Sequence, residues 1–327
     1  TVTLDNPTGY GRIVRDAANK VTAIVEQKDA NADELKIQEV NTGILLAPNA
    51  HLQTWLAALT NNNAQQEYYL TDIIAMAARD GVDIVTVQPS SEAEVSGVND
   101  RLQLAALERV LQRQQADELM RNGATILDPS RIDVRGNLTT GQDVLIDINC
   151  IFEGDVVIGD DVEIGPNCHL KNCTIGNGTV IKSNTLIDDS QVGEHCDIGP
   201  FARLRPGTQL SNKAKIGNFV ETKKAIIGEG SKVNHLSYIG DTEMGTGVNV
   251  GAGTITCNYD GVNKYLTQVA DNVFIGSNSA LVAPVSIAEG VTIAAGSTIT
   301  KNVATNQLAI GRARQTTKDN WPKPTKK

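Results

Sequence analysis

The sequence has few aromatic residues, because Phe, Trp and Tyr together account for 4% of its 327 residues. Its core must therefore be filled mainly by isoleucine, valine and leucine. It also lacks an excess of positive charge, with 29 lysines and arginines against 38 aspartates and glutamates, a formal net charge of −9. A surface that binds nucleic acid needs clustered cations, so we expect no nucleic-acid partner.

Long hydrophobic runs are also absent. No apolar stretch reaches the roughly 20 residues that a membrane-spanning helix needs, and no secretory signal opens the chain. The five cysteines are odd in number and lack the paired spacing of a metal site; they are Cys150, Cys168, Cys173, Cys196 and Cys257. We interpret them as reduced packing residues of a cytoplasmic protein without membrane contact.

An aliphatic residue, often followed by glycine, recurs about every six residues from Val134 to Val303. This period suits neither a helix nor an ordinary strand, whose side chains alternate every second residue. It suits a short strand followed by a corner, and three such units make one coil of 17 or 18 residues. Stacked coils would place Ile158, Ile175 and Val192 above one another, roughly 4.8 Å apart. Glycine after the aliphatic residue fits tight turns at which a Cβ would clash.

The repeat therefore predicts a three-sided solenoid with a ladder of aliphatic residues inside. Its flat faces carry few side chains that could close a pocket alone, so we expect the site to lie between prisms, in a homotrimer. The run of hexapeptides resembles the left-handed parallel β-helix acyltransferases.

The first hundred residues have a mixed pattern that is typical of an α/β layer. A glycine-bearing loop at Pro7 to Arg12 precedes a predicted strand at Val21 to Gln27. Further strands are predicted at Thr42 to Leu46 and, buried, at Val82 to Val87. Helices are predicted at about Leu52 to Leu59 and Leu70 to Arg79.

A single helix is predicted from Arg101 to Met120, with Asn99 as its N-cap and Gly123 as its end. Leu104, Leu107 and Leu111 would form its apolar stripe. We expect three parts: residues 1–100 as an incomplete α/β domain, residues 101–124 as a linker helix, and residues 125–327 as the β-helix with its tail. The tail from Arg312 to Lys327 is basic, and it either is solvated or contacts an anionic ligand.

Two cationic side chains interrupt the repeat. Arg205 and Lys223 are 18 residues apart, which is one coil, so stacking would place one above the other. Paired cations on one wall suggest a bound phosphate, to which arginine donates two parallel hydrogen bonds. The alternative is that Glu221 or another acid neutralises them.

His235 is one of four histidines and lies near Tyr238 in the sequence. An imidazole with an ordinary pKa of about 6.5 can accept a proton from an attacking amine at neutral pH, although a lone histidine can also be structural. Residues 249–254 form a glycine-rich coil whose N–H groups could hold an oxyanion or could belong to plain turns. Residues 258–264 break the hexapeptide count and should leave the prism as a loop on its functional face.

Three segments make the resemblance more specific: GPFARLRPG at 199–207, KVNHLSY at 232–238 and GAGTITCNYDG at 251–261. With them the whole chain resembles the family of bifunctional bacterial enzymes that combine a glucosamine-1-phosphate acetyltransferase with an N-acetylglucosamine-1-phosphate uridylyltransferase. These enzymes make UDP-N-acetylglucosamine, a precursor of peptidoglycan and lipopolysaccharide.

The resemblance implies a complete acetyl-transfer site. His235 would be the general base that deprotonates the sugar amine. A backbone amide near Ala252 would stabilise the oxyanion, without an acyl-enzyme or a metal. Residues matching the glucosamine-1-phosphate site are Arg205, Lys223, Tyr238, Asn249 and Lys264. Residues matching the acetyl-CoA site are Ala252, Asn258, Tyr259, Ser277, Ala295 and Arg312.

The N-terminal part departs from the family pattern. Gly11, Glu26, Asn41 and Asn99 match the uridine-nucleotide site, and Asn99 matches a ligand of Mg²⁺. The family's glycine-rich phosphate loop and metal-binding aspartate do not precede Thr1. Because Mg²⁺ prefers carboxylates together with substrate phosphates, Asn99 alone would not hold it. We therefore expect this chain, as a truncated form, not to transfer uridylyl groups.

Two other functions compete with acetyl transfer. A metal-dependent hydratase on the same prism would need three histidines around one zinc ion, but His169 and His195 have different offsets from the repeat than His235. A solenoid without catalytic activity, acting in oligomerisation or regulation, would not need His235, Tyr238 and the cations together.

Overall fold

The computed structural model describes residues 1–98 and 100–326. It divides into two compact units, Thr1–Val110 and Leu111–Lys327. The boundary between the units falls inside the helix that the sequence predicts as a linker. The three parts predicted from the sequence, with boundaries at residues 100 and 124, stay a prediction. No helix in the described ranges is long and apolar enough to cross a membrane.

The first unit contains a small antiparallel sheet with helices. Its strands are β1 Val2–Thr3, β2 Arg12–Arg15, β3 Val21–Val25 and β4 Glu39–Val40, in the order β1-β4-β2-β3. Its helices are α1 Asn49–Ala57 and α2 Asp72–Arg79, with single 3-10 turns at Glu34–Lys36 and Glu92–Glu94. Trp55, Ile73 and Ala77 form its small helical core.

Two strands that the sequence predicts in this unit are absent from the described structure. Residues 42–46 and 82–87 are irregular, and Val85 and Val87 are about three-quarters exposed. Both segments line an apolar cavity of about 1070 Å³. A strand requires a ladder of backbone hydrogen bonds to a neighbour as well as an apolar pattern. Among the described residues neither segment has such a ladder, and residues 82–87 have one long-range backbone bond, from Thr1 N to Val87 O at 2.8 Å.

The connecting helix α3 covers Arg101–Arg121 and matches its prediction in length. It ends at Gly123, whose φ of 106° and the bonds from Gly123 N to Met120 O and from Ala124 N to Leu119 O close it in a Schellman motif. The predicted apolar stripe is wrong, because Leu104 is 56% exposed and Leu111 is 49% exposed.

The buried side of α3 consists instead of Gln112, Ala116 and Leu119. The Gln112 amide donates to Val134 O at 2.8 Å and accepts from Val134 N at 2.7 Å. The first coil of the solenoid has no coil below it to pair with its backbone. A polar glutamine therefore occupies the packed face of the helix, where an apolar pattern alone would place leucine.

The second unit is the predicted left-handed parallel β-helix. Its strands, in chain order, are β5 Thr125–Ile126, β6 Ile132–Thr140, β7 Leu145–Ile146, β8 Cys150–Ile158, β9 Glu163–Ile164, β10 His169–Ile175, β11 Val180–Ile181, β12 Leu186–Asp188, β13 Gln191–Val192, β14 Asp197–Ile198, β15 Arg203–Leu204, β16 Gln209–Leu210, β17 Lys215–Asn218, β18 Glu221–Ile227, β19 Lys232–His235, β20 Tyr238–Met244, β21 Asn249–Val250, β22 Ile255–Cys257, β23 Thr267–Val269, β24 Phe274–Ile275, β25 Ala280–Val282, β26 Val285–Ile287, β27 Thr292–Ile293, β28 Thr298–Ile299 and β29 Leu308–Ala309.

Strand pairing confirms the predicted stacking. Ile175 pairs with Ile158 on one side and with Val192 on the other, and every strand pair of the solenoid is parallel. One face is a continuous sheet from β5 to β29. Its inward residues, from Ile146 to Ile293, are almost fully buried and form one column of the core.

The glycines that follow the aliphatic residues are required by the spacing between coils. A Cβ on Gly217 would lie 2.0 Å from Asn234 O, and one on Gly228 would lie 2.2 Å from Gly245 O. Neither residue has a positive φ, so at these positions glycine provides room for the next coil, and the turn itself does not require it.

Candidate functional site

The predicted phosphate-binding residues lie on one face of the prism. Arg203 pairs with Glu221, Glu221 with Tyr238, and Lys223 with Gly240. Continued by two residues, this register puts Arg205 directly below Lys223, and Arg205 N donates to Thr222 O at 2.9 Å. The predicted stacking of the two cations is therefore confirmed.

Glu221 neutralises one of these cations. Arg205 Nη1 lies 2.7 Å from Glu221 Oε1, and both side chains are about one-third exposed. Neutralisation by Glu221 was the alternative to a bound phosphate in the sequence analysis, and for Arg205 this contact agrees with that alternative. Within residues 1–98 and 100–326, however, neither Lys223 nor Lys264 has a carboxylate within salt-bridge distance.

Lys264 reaches this face from the loop that interrupts the repeat. Val250 and Ile275 are paired on successive coils, yet 25 residues separate them because the loop is inserted there. Tyr259 bridges to Lys264, and Asp260 Oδ1 accepts from Val262 N at 2.8 Å and Asn263 N at 2.6 Å. These two backbone donors also lower the pKa of Asp260, with Asn263 contributing most.

Lys264 and Arg205 both lie close enough to Lys223 to disfavour its positive charge. The pKa of Lys223 is lowered from its ordinary value, first by contact with Lys264 and by its charge, and then by the charge of Arg205. Asp241 acts in the opposite direction. A surface on which one ammonium group disfavours the next would be relieved by a bound anion.

Tyr238 and Asn258 border the same surface. The Tyr238 ring lies over Gly240, where a Cβ would be 2.4 Å from the phenol oxygen. Asn258 Nδ2 lies 3.5 Å from that oxygen and also donates to the carboxylate of Asp241. Because Gly240 is the strand partner of Lys223, the Tyr238 hydroxyl group is adjacent to the cations.

His235 lies at the corner where this face begins. It is the last residue of β19 and is paired with Asn218, the last residue of β17. His235 Nδ1 is 2.9 Å from Asn218 Oδ1, while the imidazole is exposed to solvent. One corner, Leu236 and Ser237, separates His235 from Tyr238 on the cationic face.

Most of the predicted acetyl-CoA residues lie above His235, at the same corner of the coils that follow. This series of corner positions is called the column below. Gly253 N donates to His235 O, Asn278 N to Ala252 O and Gly296 N to Ser277 O, so His235, Ala252 and Ser277 hold equivalent positions on successive coils. Ala295 follows Ser277 in the same register. Arg312 lies next to the following coil, because its Cδ is 3.9 Å from a Cβ built on Gly296.

The column also presents hydrogen-bond donors. In the described parts of the chain, the backbone N–H groups of Ala252, Ser277 and Ala295 have no acceptor. Asn249 lies on the same face, paired with Lys232 below and Phe274 above. Asn258 and Tyr259 lie instead at the start of the inserted loop, directly after β22.

Three of the predicted nucleotide-site residues lie together in the first unit. Asn41 N donates to Gly11 O at 2.8 Å, and a Cβ on Gly11 would lie 3.2 Å from Glu26 Oε1. Glu26 accepts from the Thr71 hydroxyl group at 2.9 Å. Asn99, the predicted magnesium ligand and N-cap, lies outside the described residues.

The geometry required by the hydratase alternative is not found. His169 pairs with Ile151 and Leu186 on a different face from His235, and His195 lies at another corner, paired through its N–H with Asn177 O. Among the residues with described positions, no group of three or more His, Cys, Asp or Glu side chains could hold a metal ion.

Two residues of this region are missing from the sites predicted from the sequence. Asn218 contacts His235, and Asp241 contacts Asn258. Both are 17 residues before their partners, so the length of one coil was the signal that could have found them.

Comparisons with known proteins are consistent with this description. The model "GMPPB C-terminal domain" matches residues 134–216, and "Bacterial transferase hexapeptide (six repeats)" matches residues 267–301. The chain is 82% identical over 327 residues to "Bifunctional protein GlmU" from Marinomonas sp. (strain MWYL1), covering all of this chain and 72% of the relative. It is 60% identical over 326 residues to the protein of the same name from Marinobacter nauticus, with the same coverage.

Solved structures resemble the chain more weakly. UDP-N-acetylglucosamine O-acyltransferase (LpxA) from Moraxella catarrhalis is 22% identical, with a TM-score of 0.37 over 50% of this chain and 69% of that chain. The Arabidopsis UDP-N-acetylglucosamine acyltransferase is 14% identical, with a TM-score of 0.39 over 58% and 70%. The fold assignment therefore depends on the strand pairing and the sequence matches.

Proposed function

The chain belongs to the family of bifunctional GlmU proteins, and from this premise we propose that it transfers the acetyl group of acetyl-CoA to the amine of glucosamine-1-phosphate. The transfer is one step in the synthesis of UDP-N-acetylglucosamine. The observation that carries the proposal is the juxtaposition of three cations with an exposed imidazole across one corner of the prism.

The cations select a phosphorylated sugar. Glu221 already partners Arg205, but Lys223 and Lys264 repel each other and have no salt-bridge partner within the described residues. A sugar phosphate placed there would relieve the repulsion and accept charge-assisted hydrogen bonds. Tyr238 would add a hydroxyl donor, and Asn249 would contact the sugar from the neighbouring face.

His235 acts as the general base. The sugar amine attacks the thioester carbonyl carbon, so that a C–N bond forms and the C–S bond breaks. His235 Nε2 takes the proton that the amine loses and returns it to the sulfur of coenzyme A, which leaves as the thiol. The free N–H group of Ala252, one coil above His235, is the donor for the oxyanion.

The column above His235 accommodates the cofactor as an extended ligand. From His235 to Arg312 the column rises four coils, roughly 19 Å at about 4.8 Å per coil. Ala252, Ser277 and Ala295 offer backbone donors along this length, and Arg312 offers a cation at its end. Asn258 and Tyr259 would contact acetyl-CoA from the loop. A single prism leaves the column open, so we propose a homotrimer in which a second prism closes it.

The first unit corresponds to the uridylyl-transferring half of the family. Gly11, Glu26 and Asn41 are placed together there, and UDP-N-acetylglucosamine is the ligand we assign to them. Mg²⁺ belongs to that reaction. The chain spans 72% of the length of the relatives it matches. We also place its action in the cytoplasm, an assignment supported by five free cysteines.

Thiol release from acetyl-CoA tests the proposal. The purified chain is assayed with glucosamine-1-phosphate and, separately, with glucosamine, and we expect release with the phosphorylated sugar only. Equal release with both acceptors would remove the role of the cations. No release from a folded, trimeric protein would favour the solenoid without catalytic activity.

A further inference from the structure

One contact of His235 has no part in the function as stated so far. Asn218 ends the strand below His235, and its Oδ1 lies 2.9 Å from His235 Nδ1. Asn218 is partly buried, and its carbonyl oxygen accepts from Leu236 N at 3.1 Å. Its backbone is therefore fixed against the residue that follows His235. Across the described ranges, the side chain of Asn218 has no other hydrogen bond that would compete for it.

This contact determines which imidazole nitrogen can act as a base. A neutral imidazole carries one proton, on either Nδ1 or Nε2, and the hydrogen bond made by one nitrogen decides the state of the other. An amide oxygen only accepts, so a bond to Asn218 Oδ1 requires the proton to be on Nδ1. The lone pair then lies on Nε2. Free histidine prefers the opposite tautomer, with its proton on Nε2.

We propose that Asn218 is a positioning residue that holds neutral His235 with its proton on Nδ1 and its basic nitrogen, Nε2, directed outward. The inference depends on the proposed role of His235 as the base. It adds a specific reason why Nε2 of His235 is unprotonated and can accept a proton: the hydrogen bond from Nδ1 to a residue 17 positions earlier in the chain. With the amide rotated, Nδ2 would donate to Nδ1, and Nε2 would carry a proton and could not accept another.

Charged or titratable groups also lie on the strands next to His235. Lys215 lies on β17, Lys232 lies on β19, and the next coil presents the neutral Asn249 and Ala252. Beyond the corner, Glu221 and Tyr238 begin β18 and β20. The substitutions described below leave all of these groups in place, so a change in the titration of His235 can be assigned to position 218.

The direct test is the tautomer of His235 in the folded chain. ¹⁵N NMR of histidine-labelled protein distinguishes protonated from unprotonated ring nitrogens, and the His235 signals are assigned by their loss in His235→Ala. We expect protonated Nδ1 and unprotonated Nε2 in the unaltered chain above the imidazole pKa. Asn218→Leu should move the proton to Nε2. Asn234→Leu is the control: it makes the same change at the residue that precedes His235 on β19, and it should leave the tautomer as it is.

A second variant separates hydrogen bonding from packing. Asn218→Asp keeps an acceptor, so it should retain the Nδ1–H tautomer and most of the activity. Its carboxylate also stabilises imidazolium, so the acidic limb of kcat/KM should move to higher pH. Asn218→Leu should lower kcat about 10-fold with little change in KM for the sugar phosphate.

Two results would overturn the inference: an Nε2–H tautomer in the unaltered chain, or an unchanged tautomer in Asn218→Leu. Neither depends on activity, so they are distinct from failure of the proposed function, which would appear as no thiol release by the folded, unaltered chain. They are also distinct from failure of the base assignment, which would appear as full acetyl transfer in His235→Ala. Size-exclusion chromatography and circular dichroism establish that each variant is folded. If Asn218→Leu does not fold, the tautomer of His235 in the unaltered chain still decides between the two amide orientations.

Discussion

Arg205→Ala gives the sharpest test of the cationic surface. A hydrogen bond between charged groups is worth about 1.5–3 kcal/mol, and partly exposed ion pairs fall toward the lower end because water screens them. Arg205 is one-third exposed, so the lower part of that range applies. We therefore expect KM for glucosamine-1-phosphate to rise roughly 10- to 30-fold, with a smaller change in kcat.

The salt bridge to Glu221 complicates this substitution. Without Arg205, the Glu221 carboxylate loses its partner at 2.7 Å and becomes a negative charge beside the phosphate site. Part of the loss in Arg205→Ala would then be repulsion by Glu221. In the double variant Arg205→Ala/Glu221→Gln that repulsion is absent, and we expect KM to recover in part but to stay above that of the unaltered chain.

Thiol release measured against acceptor concentration gives kcat and KM for each variant. Lys213→Asn is a matched control, since it also removes one positive charge from a partly exposed ion pair, here with Glu229. Its φ of 60° suits asparagine. The reasoning is refuted if Arg205→Ala leaves KM unchanged, or if Lys213→Asn raises it by the same factor.

Three further predictions follow from the site and the core. His235→Ala should lower kcat by about 10²- to 10⁴-fold with the oligomeric mass unchanged, and full activity in the thiol assay would remove the base assignment. Since the pKa of Lys223 is lowered, its charge is lost at a lower pH than for ordinary lysine; inorganic phosphate binding followed by calorimetry should weaken as pH rises through that range, and a Lys223→Met chain should not show that step. Ile198→Ala, in the fully buried ladder, should reduce the free energy of unfolding by about 2–5 kcal/mol in urea titrations, whereas Val157→Ala, at a half-exposed position, should change it by less than about 1 kcal/mol.

The solenoid could be predicted from the sequence because its period is a property of neighbouring residues. One buried aliphatic residue every six positions specifies a short strand and a corner, and the pairing of Ile158, Ile175 and Val192 confirms the result. The same counting placed Arg205 below Lys223. The crowding of Lys223 by Lys264 required the structure, since the inserted loop has no period that could be counted.

Predictions that depended on the identity of a packing partner were less successful. The apolar spacing of residues 42–46 and 82–87 indicated strands, but a strand needs a ladder of hydrogen bonds to a neighbour. The described residues provide only one long-range backbone bond there, from Thr1 N to Val87 O. In α3 the leucine pattern predicted the wrong face, because the end of the solenoid requires hydrogen bonds that Gln112 supplies and leucine cannot.

The sequence by itself determined the coil, its aliphatic core and the residue types available for chemistry, because these follow from local spacing and composition. Only the tertiary structure decided which of the stacked side chains form hydrogen bonds with one another. Asn218 and His235 are 17 residues apart, and the hydrogen bond between them exists because one coil returns the chain to the same corner, one strand higher. Contacts of this kind depend on the closure of the whole coil, which fixes the register of residues that are distant in the chain.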